Sequence, residues 1–123
     1  MKGICDLHTH STASDGSDSP KALWEKAHAL GLGAIALCDH NTVAGLPEFL
    51  AAAHGNTKAV PGCEFTVDFE GTELHLLGLF IAPCHFAAVT EKMAESRPIL
   101  RGRTQIPSFL MCEGAFLTSR TFL

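Results

Sequence analysis

The run Ala34-Ile35-Ala36-Leu37-Cys38-Asp39-His40 decides the fold of this 123-residue chain. Five apolar residues without a polar interruption read as a short strand covered on both faces, the pattern of a parallel sheet flanked by helices. The strand ends on an acid and a histidine, and in parallel α/β folds sites collect at the carboxyl ends of the strands. Working outward, Gly3 to His8 reads as a preceding strand. Ser19-Pro20 opens a helix, with serine as N-cap and proline at the first helical position. Ala22, Leu23, Ala27 and Leu30 make its buried face, and Gly31 ends it. Beyond His40, Asn41-Thr42 are expected to cap a second helix through Leu46, Phe49, Leu50 and Ala53, ending near Gly55. Lys58 to Val67 is a third strand, Glu70-Gly71 a turn and Glu73 to Ile81 a fourth strand. Phe86 to Arg97 reads as a third helix, stopped by Pro98. Strand–helix–strand alternation implies an α/β protein with a right-handed parallel sheet or barrel. The placement of polar residues fits a barrel rim better than an open crevice.

The first strand delivers Asp6-Leu7-His8-Thr9-His10, followed by a loop that ends Ser14-Asp15-Gly16. Residues i and i+2 of a strand point to one face, roughly 6–7 Å apart along the chain, so the two imidazoles can converge on a single cation. Asp15 can fold back as a carboxylate ligand. His40, Glu64 and His75 stand on later strands and complete a candidate metal set of His8, His10, Asp15, His40, Glu64 and His75. Glu64 lies in an apolar strand, where an unpaired carboxylate is costly to bury. Asp6 and Asp39 are expected to stand behind the ligands, orienting an imidazole through its other nitrogen. Imidazole and carboxylate without thiolate suit zinc, manganese or iron. Six ligands exceed one tetrahedral ion, so two or three divalent ions are expected, with Glu64 as a bridge. Paired ions about 3.5–4 Å apart acidify a shared water, clamp phosphoryl oxygens and stabilise the leaving oxygen, which is phosphate-ester hydrolysis. His28, His54 and His85 are assigned no site. Cys5 and Cys38 read as small buried residues, and Trp24 as helix packing.

Composition narrows the function classes. A net charge of −4 gives no electrostatic case for a strong nucleic-acid surface or an anionic membrane. No apolar run reaches the eighteen or so residues of a membrane span, and the N-terminus lacks the apolar core of a signal peptide. Five cysteines without a C-x-x-C pair make neither a disulfide framework nor a zinc ribbon. A cytoplasmic location is the expectation. Residues 98–123 carry none of the seven histidines and show no sustained helical or strand period.

Asp-Leu-His-Thr-His-Ser-Thr-Ala-Ser-Asp-Gly, Cys-Asp-His-Asn-Thr, Gly-Cys-Glu-Phe-Thr and Glu-Leu-His-Leu-Leu-Gly resemble, in order, the first four motifs of the PHP family, named for polymerase and histidinol phosphatase. The resemblance covers about residues 1–97. It implies part of a distorted (β/α)7 barrel, truncated after about four strands, and a trinuclear, metal-dependent phosphoesterase with the six residues above as ligands. The Ser-Asp-Gly context looks most like members acting on nucleoside bisphosphates or short RNA 5′ ends, so the implied partner is a small phosphorylated, nucleotide-like substrate. Full-length members add another histidine and a late Asp-x-His, which this sequence lacks. The expectation is therefore an N-terminal PHP part over 1–97 and an atypical, truncated or frame-shifted tail over 98–123. Activity is expected to be impaired, and uncovered sheet edges to favour self-association. The alternative is a non-catalytic metal-binding remnant or structural domain.

Overall fold

The structure, a computed structural model, describes residues 3–95 together with the backbone of short strands at 99–100 and 116–120. In chain order the elements are β1 (Cys5–Thr9), α1 (Pro20–Ala29), β2 (Ala34–Leu37), α2 (Leu46–Ala52), β3 (Lys58–Phe69) and β4 (Thr72–Leu79). A 3-10 turn (Pro83–His85) then leads into α3 (Phe86–Glu95), followed by β5 (Ile99–Leu100) and β6 (Phe116–Arg120). The strands form one sheet in the order β1-β2-β3-β4-β6, with β5 also paired to β3. The last two strands lie in the segment whose sequence shows no strand period. The expected stop at Pro98 and the rest of that tail fall outside the described residues.

The β1, β2 and β3 strands run parallel, as the alternation requires. The β4 strand does not follow the parallel rule and pairs antiparallel with β3. The cause is the length of the connection. A parallel crossover needs a dozen or more residues, whereas a hairpin needs two. Only Glu70 and Gly71 separate the paired residues Phe69 and Thr72. Both adopt positive φ, 51° and 80°, the signature of a tight hairpin turn, and Gly71 N donates to Asp68 Oδ1 at 3.0 Å.

Two helix starts illustrate what the sequence could and could not fix. Ser19 caps α1 as expected, its Oγ accepting from Ala22 N at 3.1 Å. Gly31, at φ 73°, turns the chain away after the helix. The expected cap of α2 by Asn41-Thr42 does not form. That helix begins at Leu46, with Gly45 as an N-cap lacking any side-chain hydrogen bond. Asn41 is occupied elsewhere, its Oδ1 accepting from Thr66 N at 2.7 Å and its Nδ2 donating to Thr66 Oγ1 at 3.1 Å. A strand across the sheet has outcompeted the local cap.

The apolar residues divide between the two faces of the sheet. Ile35 and Leu37 of β2 pack with Trp24, Leu46, Phe49, Phe65 and Val67 beneath the helices. Trp24, Phe49 and Phe65 are fully buried there, each contributing a few kcal/mol of burial, about 2–3 by transfer bookkeeping. Ala34, Ala36 and Cys38 cluster with Val60 and Leu79 on the opposite face. Small side chains on that face leave room for the polar groups described below. At the edge of the sheet, β1 pairs with β2 alone among the described residues, and Ile4 and Leu7 are exposed. Cys38 is buried as expected, but Cys5, on this edge, is exposed.

Candidate metal centre

Three features of the backbone bring the six sequence-selected residues to one place. The first is a slip in register along β1. Cys5 and Asp6 lie opposite Ala34 and Ile35, but Thr9 lies opposite Leu37, so β1 carries one residue more than β2 over this stretch. Such a bulge re-aims side chains, and here His8 and His10 turn toward Glu64. The second is an overhang. The ladder between β2 and β3 ends at Leu37 opposite Pro61, while β3 runs on to Phe69. Glu64 is interior to its strand yet level with the chain leaving β2, and it forms an isolated parallel bridge with His40. Glu64 N donates to Asp39 O at 3.1 Å and Asn41 N to Glu64 O at 2.9 Å. The third is the hairpin, which pairs Thr66 with His75 and Glu64 with Leu77. His75 therefore shares a face with Glu64, one diagonal step away.

Glu64 stands at the centre and is only 4% exposed. Its Oε2 lies 3.0 Å from His8 Nε2, 3.2 Å from His10 Nε2 and 3.5 Å from His40 Nδ1, and its Oε1 lies 3.9 Å from His75 Nδ1. Asp15 closes the other side, with Oδ1 3.3 Å from His10 Nδ1 and Oδ2 3.1 Å from His40 Nε2. The groups form three overlapping triads whose ligand atoms lie within 4.8 Å of one another: His8–His10–Glu64, His10–Asp15–His40 and His40–Glu64–His75. All six residues converge.

Electrostatics keep His10 suited to ligation. Burial, then the neighbouring His40, hold its pKa below the ordinary imidazole value against the pull of Asp15 and Glu64, so its ring is neutral at pH 7. Desolvation pushes Asp15 upward, but His40, His10 and the Ser14 hydroxyl together hold its carboxyl below the usual range.

The donor set also fits divalent cations. His10 Nδ1 is buried and, although Asp15 Oδ1 is near, no aligned hydrogen bond satisfies it among the described residues. His8 Nε2 and His10 Nε2 face each other at 3.1 Å. Imidazoles and carboxylates crowded in this way can present lone pairs to common points, which is what a cation needs.

The expected partners behind the ligands differ. Asp39 is 2% exposed, and both its oxygens are taken by the loop before Asp15: Ser11 N and Ser14 Oγ donate to Oδ1, and Ser11 Oγ to Oδ2, each at 2.7 Å. It steadies a loop, not an imidazole. Asp6 Oδ1 accepts from the backbone N of His8 at 3.3 Å and among the described residues likewise serves no ring. A different carboxylate, one that the sequence reading does not single out, lies against a ring. Glu73 Oε1 is 3.3 Å from His75 Nε2, and the Glu-x-His spacing on a strand was the signal for it. Trp24 packs as expected, with His28 stacked on it at 4.8 Å and His54 tilted at 4.5 Å.

The chain resembles several known proteins. The model of the PHP domain matches residues 6–106. A 5′-3′ exoribonuclease of Haemophilus influenzae is 43% identical over 81 residues, covering 65% of this chain and 30% of its own length. A 3′,5′-nucleoside bisphosphate phosphatase of Chromobacterium violaceum is 35% identical over 97 residues, covering 75% of this chain and 33% of its own length. The crystal structure of a protein assigned as a metal-dependent phosphoesterase from Bifidobacterium adolescentis superimposes with a TM-score of 0.67 at 30% identity. That match covers 77% of this chain and 33% of the other. The chain thus spans about a third of the length of these relatives. Among the described residues no helix is long and apolar enough to cross a membrane.

Proposed function

The chain belongs to the PHP domain family, and on that premise we propose that its six convergent groups hold two or three divalent cations, manganese, zinc or iron, in the service of phosphate-ester hydrolysis. The proposed substrate is nucleotide-like: a nucleoside bisphosphate or the 5′ end of a short RNA. The observation that carries the reading is Glu64, a buried carboxylate with four imidazoles within 3.9 Å. Cations bound there supply an acidified water and offset the negative charge of the phosphoryl group.

The residues divide the work. Glu64 faces His8, His10 and His40 through one oxygen and His75 through the other, so a single carboxylate can serve two cations. His10, held neutral, keeps a lone pair available. Asp15, whose side chain is 63% exposed, closes the centre on the solvent side, where a substrate enters. A chain of net charge −4 has little general attraction for a phosphate, so cations held by Glu64, Asp15 and the four histidines would supply the positive charge that draws it in. The names of the exoribonuclease and bisphosphate phosphatase relatives support the substrate class.

The test is metal analysis of the purified chain after Mn²⁺ loading, followed by turnover of a nucleoside 3′,5′-bisphosphate and a 5′-phosphorylated short RNA. At least one tightly held ion per chain and turnover abolished by His8→Ala are expected. A folded chain that retains no ion would overturn the reading. Retained ions without turnover would favour the alternative, a metal-binding domain without catalysis, for a chain spanning a third of its relatives' length.

A further inference from the structure

Resting on that cation-binding reading, we propose that Asp39 is the positioning residue for one cation position, the one framed by His10, Asp15 and His40. It acts by tethering the loop before Asp15, not through its charge.

The hydrogen bonds place the tether. Asp39 holds Ser11 by its backbone N and its hydroxyl, and Ser14 by its hydroxyl. Ser11 in turn organises the loop. Its carbonyl accepts from Ser14 N at 3.1 Å and Gly16 N at 2.8 Å, and its hydroxyl accepts from Ala13 N at 3.1 Å. The two amides that its carbonyl holds are those on either side of Asp15. Asp15 has a largely exposed side chain that meets His10, His40 and, at 3.3 Å, the Ser14 hydroxyl, so the backbone that carries it is positioned by the loop. Because His40 directly follows Asp39 in sequence, the tether also sets the separation of Asp15 from His40, 3.1 Å between Oδ2 and Nε2.

The local packing is shaped for this contact. A Cβ on Gly45 would lie 3.2 Å from Asp39 Oδ2 and 3.2 Å from Ala13 Cβ, so the bare glycine lets loop and carboxylate close together. Of the three ligands at the tethered position, only Asp15 belongs to that triad alone; the other two triads share His10 and His40 with it but do not use Asp15, and the β3–β4 ladder already holds Glu64 and His75. Loss of the tether should therefore act on one position and spare the others.

An amide could replace this carboxylate. Ser11 N and Ser14 Oγ both converge on Oδ1, while among the described residues Oδ2 accepts only from the Ser11 hydroxyl. An asparagine with its oxygen at the Oδ1 place could keep both of the first bonds and donate its NH₂ to the Ser11 hydroxyl, which has two lone pairs.

Calorimetric titration of the full chain with Mn²⁺ separates the cases. Ser14→Ala should weaken one binding step about 10-fold, the loss typical of an outer partner, and leave the other steps within about twofold. Asp39→Asn should stay within about threefold of the parent chain at every step, since it keeps the tether. Ser14→Ala indistinguishable from the parent chain, or weakening every step alike, would overturn the inference. So would Asp39→Asn losing the step as heavily as Ser14→Ala, because the charge would then be what matters. A parent chain that takes up no Mn²⁺ removes the functional reading and this inference together. A parent chain that binds beside an unaffected Ser14→Ala removes this inference alone.

Discussion

A Gly16→Ala substitution should push the Asp15 loop away from His10, and the structure gives the size of the displacement. A Cβ built on Gly16 overlaps the carbonyl oxygen of His10 and sits 2.5 Å from its carbonyl carbon and 2.8 Å from Ser11 N. Unbonded heavy atoms settle near 3.5 Å, so the deficit is roughly 1 Å. All three neighbours are backbone atoms and cannot rotate away. Either the loop or the strand end carrying His10 must move. The φ of Gly16 lies outside the left-handed region, so the cost comes from overlap alone. Overpacking of this kind costs about 1–3 kcal/mol, and about 2 kcal/mol lowers the melting midpoint of a chain this size by roughly 8 °C. The chemical cost is steeper. His10 and Asp15 now stand 3.3 Å apart, and metal–ligand distances tolerate only about 0.2 Å. Cation affinity at the His10–Asp15–His40 position should fall at least 10-fold, and turnover about 100-fold, as expected for a 1 Å misplacement. The assay is thermal melting in EDTA, then Mn²⁺ titration and turnover of a nucleotide monoester. A variant that melts within about 2 °C of the parent and binds Mn²⁺ equally well would refute the reasoning, since a shift of that size is worth well under 1 kcal/mol.

Two further predictions address the centre itself. Glu64 belongs to two of the three triads, so Glu64→Gln should weaken cation binding at those positions by about 100-fold, near 3 kcal/mol. The position framed by His10, Asp15 and His40 should survive, and Mn²⁺ stoichiometry by calorimetry shows whether it does; uniform loss would contradict the assignment. The pH dependence follows from His10, whose pKa is lowered by burial first and His40 next. The unfolded chain then takes up the proton before the folded one does. Stability of the metal-free chain should hold above pH 6.5 and fall as pH drops from there toward the lowered value. Melting midpoints in EDTA from about pH 8 to about pH 5 read this directly, and a midpoint that rises on acidification would count against it.

The sequence made the site unusually legible because its ligands are rare groups in characteristic places. His8-x-His10 at a strand end, Asp15 before a glycine and His40 after an apolar run each carry a local reason to be noticed. Glu64 stood out as a carboxylate among apolar neighbours. Two of the departures share one feature, competition from residues distant in sequence. Asp39 could be seen beside His40, but Ser11 and Ser14, 28 and 25 residues earlier, take its oxygens. Asn41 had the chemistry of a helix cap and was claimed by Thr66 instead. Glu73 carries no such local mark, because its place beside His75 depends on which nitrogen of that ring faces the centre.

What the sequence determined alone was an inventory: strands and helices in α/β order, small residues on one face of β2, and six ligands spread over seven tens of residues. These follow from local propensity and periodicity, which act within a few residues. The tertiary structure decided how the ligands meet. A one-residue slip in β1 turns His8 and His10 inward, the overhang of β3 lifts Glu64 level with His40, and a two-residue hairpin reverses β4 so that His75 arrives beside them. Register is settled by pairing between strands, and no segment read by itself contains that information.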